Sequence, residues 1–110
     1  LAQVNWEPRM AIAFEGAMHR TYSYREIEKG AAPLYAGNFL LARIQNGVPF
    51  IIYAGEGENI RGASGRLWNA ARVKYAATLL YARHNHSEQD RVAEQADLVA
   101  LHKPPMNRSG

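Results

Sequence analysis

The chain contains no cysteine. That excludes a disulfide framework, a thiolate nucleophile and cysteine-ligated zinc, while leaving the redox compartment open. No apolar run approaches the roughly 18 to 20 residues of a membrane span, and the first residues lack a charged-then-apolar leader pattern. A cytoplasmic protein with no membrane partner is therefore expected. Neither a Gly-Lys-Ser/Thr phosphate loop nor the spacing of a dinucleotide fingerprint accompanies Gly55, Gly57 and Gly62, which argues against nucleotide binding of either type.

What remains is an ordinary single-core composition: 110 residues, 47% hydrophobic and 21% charged. This excludes long disorder, collagen and repeat arrays. The net charge of +3 is modest, but it is unevenly placed. Residues 1–36 balance four bases against four acids, whereas Asn59 to Ser87 holds Arg61, Arg66, Arg72, Lys74 and Arg83, with His84 and His86, and no acid. Arginine supplies ten of the thirteen positive charges, and its planar fork suits phosphate oxygens. An anionic partner and a solvated basic face are the two readings of that stretch.

Along the chain, residues 1–9 read as an arm. Met10–Phe14 and His19–Tyr24 read as a hairpin, and Ser23 has capping-box spacing to Glu26 for a short helix ending at Gly30. Asn38–Ile44 and Val48–Ala54 flank Asn46-Gly47, a dipeptide favoured in the primed turns of hairpins. Residues 55–65 read as a glycine-rich loop, with Ser64 capping a helix to about Ala77. Thr78–His84 follows as a buried strand, then a helix capped by Ser87 and stopped by Pro104 and Pro105. The expected fold is α+β, a small, mainly antiparallel central sheet flanked by helices, with a hairpin and short-helix extension. Its parts are an extension over 1–36 packed on the core, a domain over 37–107 and a tail over 108–110.

Two clusters invite a metal. His84 and His86 share one side of a strand without a third ligand at a diagnostic spacing, so a solvent-facing pair is the simpler reading. Glu94 and Asp97, three apart on a helix, share a side; a hard cation and a solvated acidic face are the alternatives.

Taken in order, Gly37-Asn38-Phe39, Tyr53-Ala54-Gly55, Arg66-Leu67, Glu94 and Pro104-Pro105-Met106-Asn107 resemble the GIY-YIG nuclease superfamily over about two-thirds of the chain. Phe39 stands where the first motif usually has tyrosine, with Tyr35 nearby. Arg61 is an alternative to Arg66, and Gln95 an alternative to Glu94. The resemblance implies hydrolysis of phosphodiester bonds, with DNA as the expected nucleic-acid partner. Glu94 would hold one Mg²⁺ or Mn²⁺, Arg66 would bind the phosphate, Tyr53 would position or activate water and Asn107 would brace the site. Arg61, Arg72, Lys74 and His84 are the candidate substrate-binding residues. The alternative is a non-catalytic nucleic-acid-binding module of the same fold; a structural or oligomerising domain using the N-terminal hairpin is a third reading.

Overall fold

The computed structural model describes residues 11–28 and 30–108. The expected arm over residues 1–9, Met10, Lys29 and the last two tail residues lie outside the described residues.

Asn46 and Gly47 adopt φ of 53° and 81°, the left-handed pair that a two-residue hairpin turn requires. They join β3 (Gly37–Gln45) to β4 (Val48–Gly57). A second hairpin, β1 (Ala11–Glu15) and β2 (Thr21–Ile27), precedes them, and β5 (Leu79–His84) follows. All five strands form one antiparallel sheet in the order β1-β2-β5-β3-β4. The extension thus supplies two of the five strands, and β5 links them to the β3–β4 hairpin. With α1 (Ile60–Tyr75) and α2 (Glu88–His102), this is the expected α+β sheet flanked by helices. No helix among the described residues is long and apolar enough to cross a membrane.

Each helix covers one face. Leu98 of α2 joins Phe14, Tyr24, Leu40, Ile51, Ala54 and Tyr81 in one core, while Ile60 and Ala71 of α1 join Phe39, Leu41, Ile52, Leu80 and Ala82 in the other. The interior strand β3 is buried on both faces from Gly37 to Ala42, as its unbroken apolar run from Phe39 to Ala42 suggests.

Three local expectations are corrected. Residues 23–28 do not form a helix: Ser23 lies within β2, because alternation buries Tyr22 and Tyr24 on the α2 face and the strand gains partners on both sides. The glycine-rich segment 55–65 is not a loop, since β4 runs to Gly57 and α1 starts at Ile60. Ser64 is not the cap either; the Asn59 side chain accepts from the Gly62 amide at 3.2 Å, and Ser64 is buried a turn later. The Ile60 and Arg61 amides donate to the Tyr35 and Pro33 carbonyls, so the segment before β3 satisfies the first turn of α1. Helix-interior glycines at 62 and 65 cost about 1 kcal/mol each relative to alanine; burial of Ile60 and Ala71 offsets them.

At the other end of α1, Ala76 adopts φ 61°, with its amide on the Arg72 carbonyl, the αL form of helix end, and the Ala77 amide reaches the Ala71 carbonyl. A side chain in this conformation is strained, whereas glycine is not. Ala76→Gly should raise unfolding free energy by about 1 kcal/mol, read as a higher urea midpoint with an unchanged slope.

Candidate functional site

On the α2 face, strand and helix periodicities meet. Tyr22 and Tyr24, two apart on β2, face Asp97 and Glu94, three apart on α2. The Tyr22 hydroxyl donates to Asp97 Oδ2 at 2.7 Å and the Tyr24 hydroxyl donates to Glu94 Oε2 at 2.6 Å. Asp97 also accepts from the Met18 amide at 2.8 Å, and its own carbonyl accepts from the Ala17 amide. The same carboxylate thereby holds the β1–β2 turn. Glu94 Oε1 accepts from Arg83 Nε at 3.0 Å and from Asn85 Nδ2 at 3.2 Å. Behind it, buried Asn38 accepts from Asn85 and donates to the Arg91 carbonyl, and Arg91 pairs with Glu56 at 3.0 Å.

The pKa shifts follow from this geometry. Burial, then the hydrogen bond to Asp97, pushes the Tyr22 phenol up to about 12. Burial and the Glu94 charge push Tyr24 far above the ordinary tyrosine value. The Tyr22 hydrogen bond holds the Asp97 carboxyl below the usual carboxylate range.

A cleft of about 200 Å³ opens here, lined by Arg20, Tyr22, Arg83, Asn85, Asp90 and Glu94. Its donor set does not fit Mg²⁺ or Mn²⁺. Such ions need open carboxylate oxygens, but both Glu94 oxygens accept hydrogen bonds and one of them faces a guanidinium. Among the described residues, no group of three or more His, Asp or Glu side chains is gathered for a metal. The acidic pair on α2 is not a solvated face: both carboxylates are buried, and they clamp the first hairpin through its two phenols.

Tyr53 lies on the opposite face. The β3–β4 register shifts between Leu41 and Ala42, leaving Ile52 as an extra residue on β4. Without this bulge, alternation would put Tyr53 beside Ile51 on the α2 face; with it, Tyr53 packs in the α1 core. Its ring lies 5.9 Å from that of Phe39, and a Cβ on Gly55 would collide with both rings. Burial and the Glu56 carboxylate raise the Tyr53 pKa, opposed by Arg66, so the phenol keeps its proton at neutral pH.

The expected catalytic set is therefore divided. Tyr53 and exposed Arg66 are on the α1 side, with Arg66 near enough to act on the phenol, and Glu94 is buried beneath α2. Asn107, in a 3₁₀ turn over Pro105–Asn107, lies at the open edge of β4: its Oδ1 accepts from the Ala54 amide at 2.8 Å, and its Nδ2 donates to the Ala54 carbonyl at 2.9 Å. Gln95 donates to that carbonyl as well. The side chain that α2 directs to the strand beside Tyr53 is thus an amide.

The substrate-binding candidates are also divided. Arg61 and Arg72 line one cavity, Lys74 is exposed near the end of α1, and His84 packs against Tyr35 with ring centres 4.8 Å apart. Tyr24 and Asn85, which complete the Glu94 network, were missed by sequence reasoning. The alternation of Tyr22 and Tyr24 was the available signal, but the neighbouring capping-box spacing points to helix. Family models, curated proteins and solved structures were compared with the chain, and none matches.

Removing the Glu94 carboxylate leaves Arg83, Asn85 and Tyr24 without their acceptor. Glu94→Ala should therefore cost about 3–5 kcal/mol in stability, measured by urea unfolding, where a surface metal ligand would cost little. A pH dependence follows from the phenols. Folding holds the Tyr22 and Tyr24 protons more tightly than the unfolded chain does, so their contribution is full below pH 10 and is lost as pH rises from there through about 12. Urea midpoints between pH 9 and 12 should fall less steeply for Tyr22→Phe/Tyr24→Phe than for wild type.

Proposed function

We propose that this protein is a nucleic-acid-binding module that grips the phosphate backbone through α1 and performs no hydrolysis at Glu94. The observation that carries this reading is the charge of α1: its sixteen residues include Arg61, Arg66, Arg72 and Lys74 and no acid. None of the four makes an ion pair with a described residue. Arg66 and Lys74 make no hydrogen bond within the described chain, while Arg61 donates to the Ala32 carbonyl and Arg72 to the Asn69 side chain. Uncompensated guanidinium groups on one rigid element are suited to phosphate oxygens, which they bind in a fork.

The division of the hydrolytic set supports the same choice. In-line attack on a phosphodiester needs an activated water and positive charge at one phosphorus. Here the carboxylate that would hold a metal is engaged on the other side of the sheet, and the phenol beside Arg66 keeps its proton. The resemblance to the GIY-YIG superfamily then concerns the frame: the two tripeptides stand on adjacent strands, with Phe39 paired to Gly55.

Fluorescence anisotropy with a labelled oligonucleotide tests this reading. Affinity should fall with salt, with a log–log slope near −3, since each neutralised phosphate contributes about 0.7–0.9. Arg66→Ala and Lys74→Ala should each make the slope shallower by roughly that amount. Absence of binding at low salt would refute the module. Magnesium-dependent strand cleavage that disappears in a folded Glu94→Gln variant would restore the hydrolytic reading.

A further inference from the structure

A cavity of about 510 Å³ lies beside α1, under the helix face opposed to the end of β2 and the start of β5. Arg61, Ser64, Gly65, Trp68 and Arg72 line it at intervals of one turn, and Ile27, Ala77 and Leu80 are among the residues that close its apolar side. Its size is that of a small-molecule site. The lining combines an indole and aliphatic groups with two guanidinium groups, and among the described residues it includes no acid. Arg61 and Arg72 are eleven positions apart, about 16 Å along the helix, so they stand toward opposite ends of the space. A Cβ built on Gly65 meets nothing within 4 Å, so the missing side chain at this position keeps the cavity open.

We propose that this cavity receives one unstacked base of a single strand, stacked on Trp68, while Arg61 and Arg72 hold backbone phosphates upstream and downstream of it. The proposal rests on the nucleic-acid reading of α1 and adds the form of nucleic acid it prefers. A base has a flat apolar face that suits indole and a charged backbone that suits the two arginines. In a duplex the bases are stacked inward and cannot enter a recess; an unpaired base can. The apolar side of the recess separates it from a plain phosphate groove, for which exposed cations alone would suffice.

The test compares the 110-residue chain bound to a labelled single-stranded DNA 12-mer, to its duplex and to a 12-mer of abasic sites. The base-bearing single strand should bind about 10-fold more tightly than either of the others, within the range of one base–aromatic stack. In a Trp6→Phe background, which leaves Trp68 as the sole tryptophan, that strand should quench indole emission. Gly65→Leu fills the cavity with a better helix former and should abolish the quench and the single-strand preference, while duplex binding stays unchanged. Equal affinity for base-bearing and abasic strands would overturn the proposal even if Gly65→Leu fails to fold. Single-strand preference retained in a folded Gly65→Leu variant would also overturn it, with the backbone-binding reading intact. No binding of any oligonucleotide at low salt would instead remove the reading on which it rests. Quenching by free mononucleotide without a preference for single strand over duplex would place a small-molecule site here and overturn the strand proposal.

Discussion

Two buried phenol–carboxylate hydrogen bonds, Tyr22 to Asp97 and Tyr24 to Glu94, determine how the first hairpin sits on the molecule. A buried carboxylate is costly unless its acceptors are matched, and here they are: Asp97 takes an amide besides the phenol, and Glu94 takes a guanidinium and a side-chain amide. The match requires β2 and α2 to keep one register, since a slip of one residue would turn both phenols to the other face of the sheet. The hairpin is thereby built into the fold, and the same bonds engage both oxygens of the Glu94 carboxylate.

Sequence reasoning succeeded where structure is local. Asn46-Gly47 sets its own turn, Ser87 caps α2 by accepting from the Asp90 amide, and Pro104 follows the end of that helix. It failed where a distant partner decided the outcome. Ser23 has the spacing of a cap, yet β1 and β5 recruit its neighbours into a strand. Segment 55–65 has the glycines of a loop, but two of the four serve other ends: Gly55 admits the Phe39 and Tyr53 rings, and Gly65 opens a cavity from within a helix.

The candidate site was legible residue by residue and not as an assembly. Order along the chain places Tyr53, Arg66, Glu94 and Asn107 on plausible elements; it does not tell which face of the sheet each element covers. One extra residue at Ile52 sends Tyr53 to the α1 side, and no composition or periodicity announces a bulge. The acid-free run around α1 was legible, because charge placement does not depend on a distant contact. The recess flanked by Arg61 and Arg72 was not, since the rest of its wall comes from Ile27 of β2, Leu80 of β5 and the segments beside those strands.

Asn107 illustrates how one side chain can substitute for a neighbouring strand. Its amide meets both polar groups of the Ala54 peptide pair, offering the two bonds that another β-segment would offer at that point. Gln95 adds a third contact to the same place. The ladder of free amides and carbonyls along the outer margin of β4 is thus broken near its middle. A second copy seeking to extend the sheet there would meet an occupied rung, which guards this margin against fibril-like addition without any charge or proline at that residue.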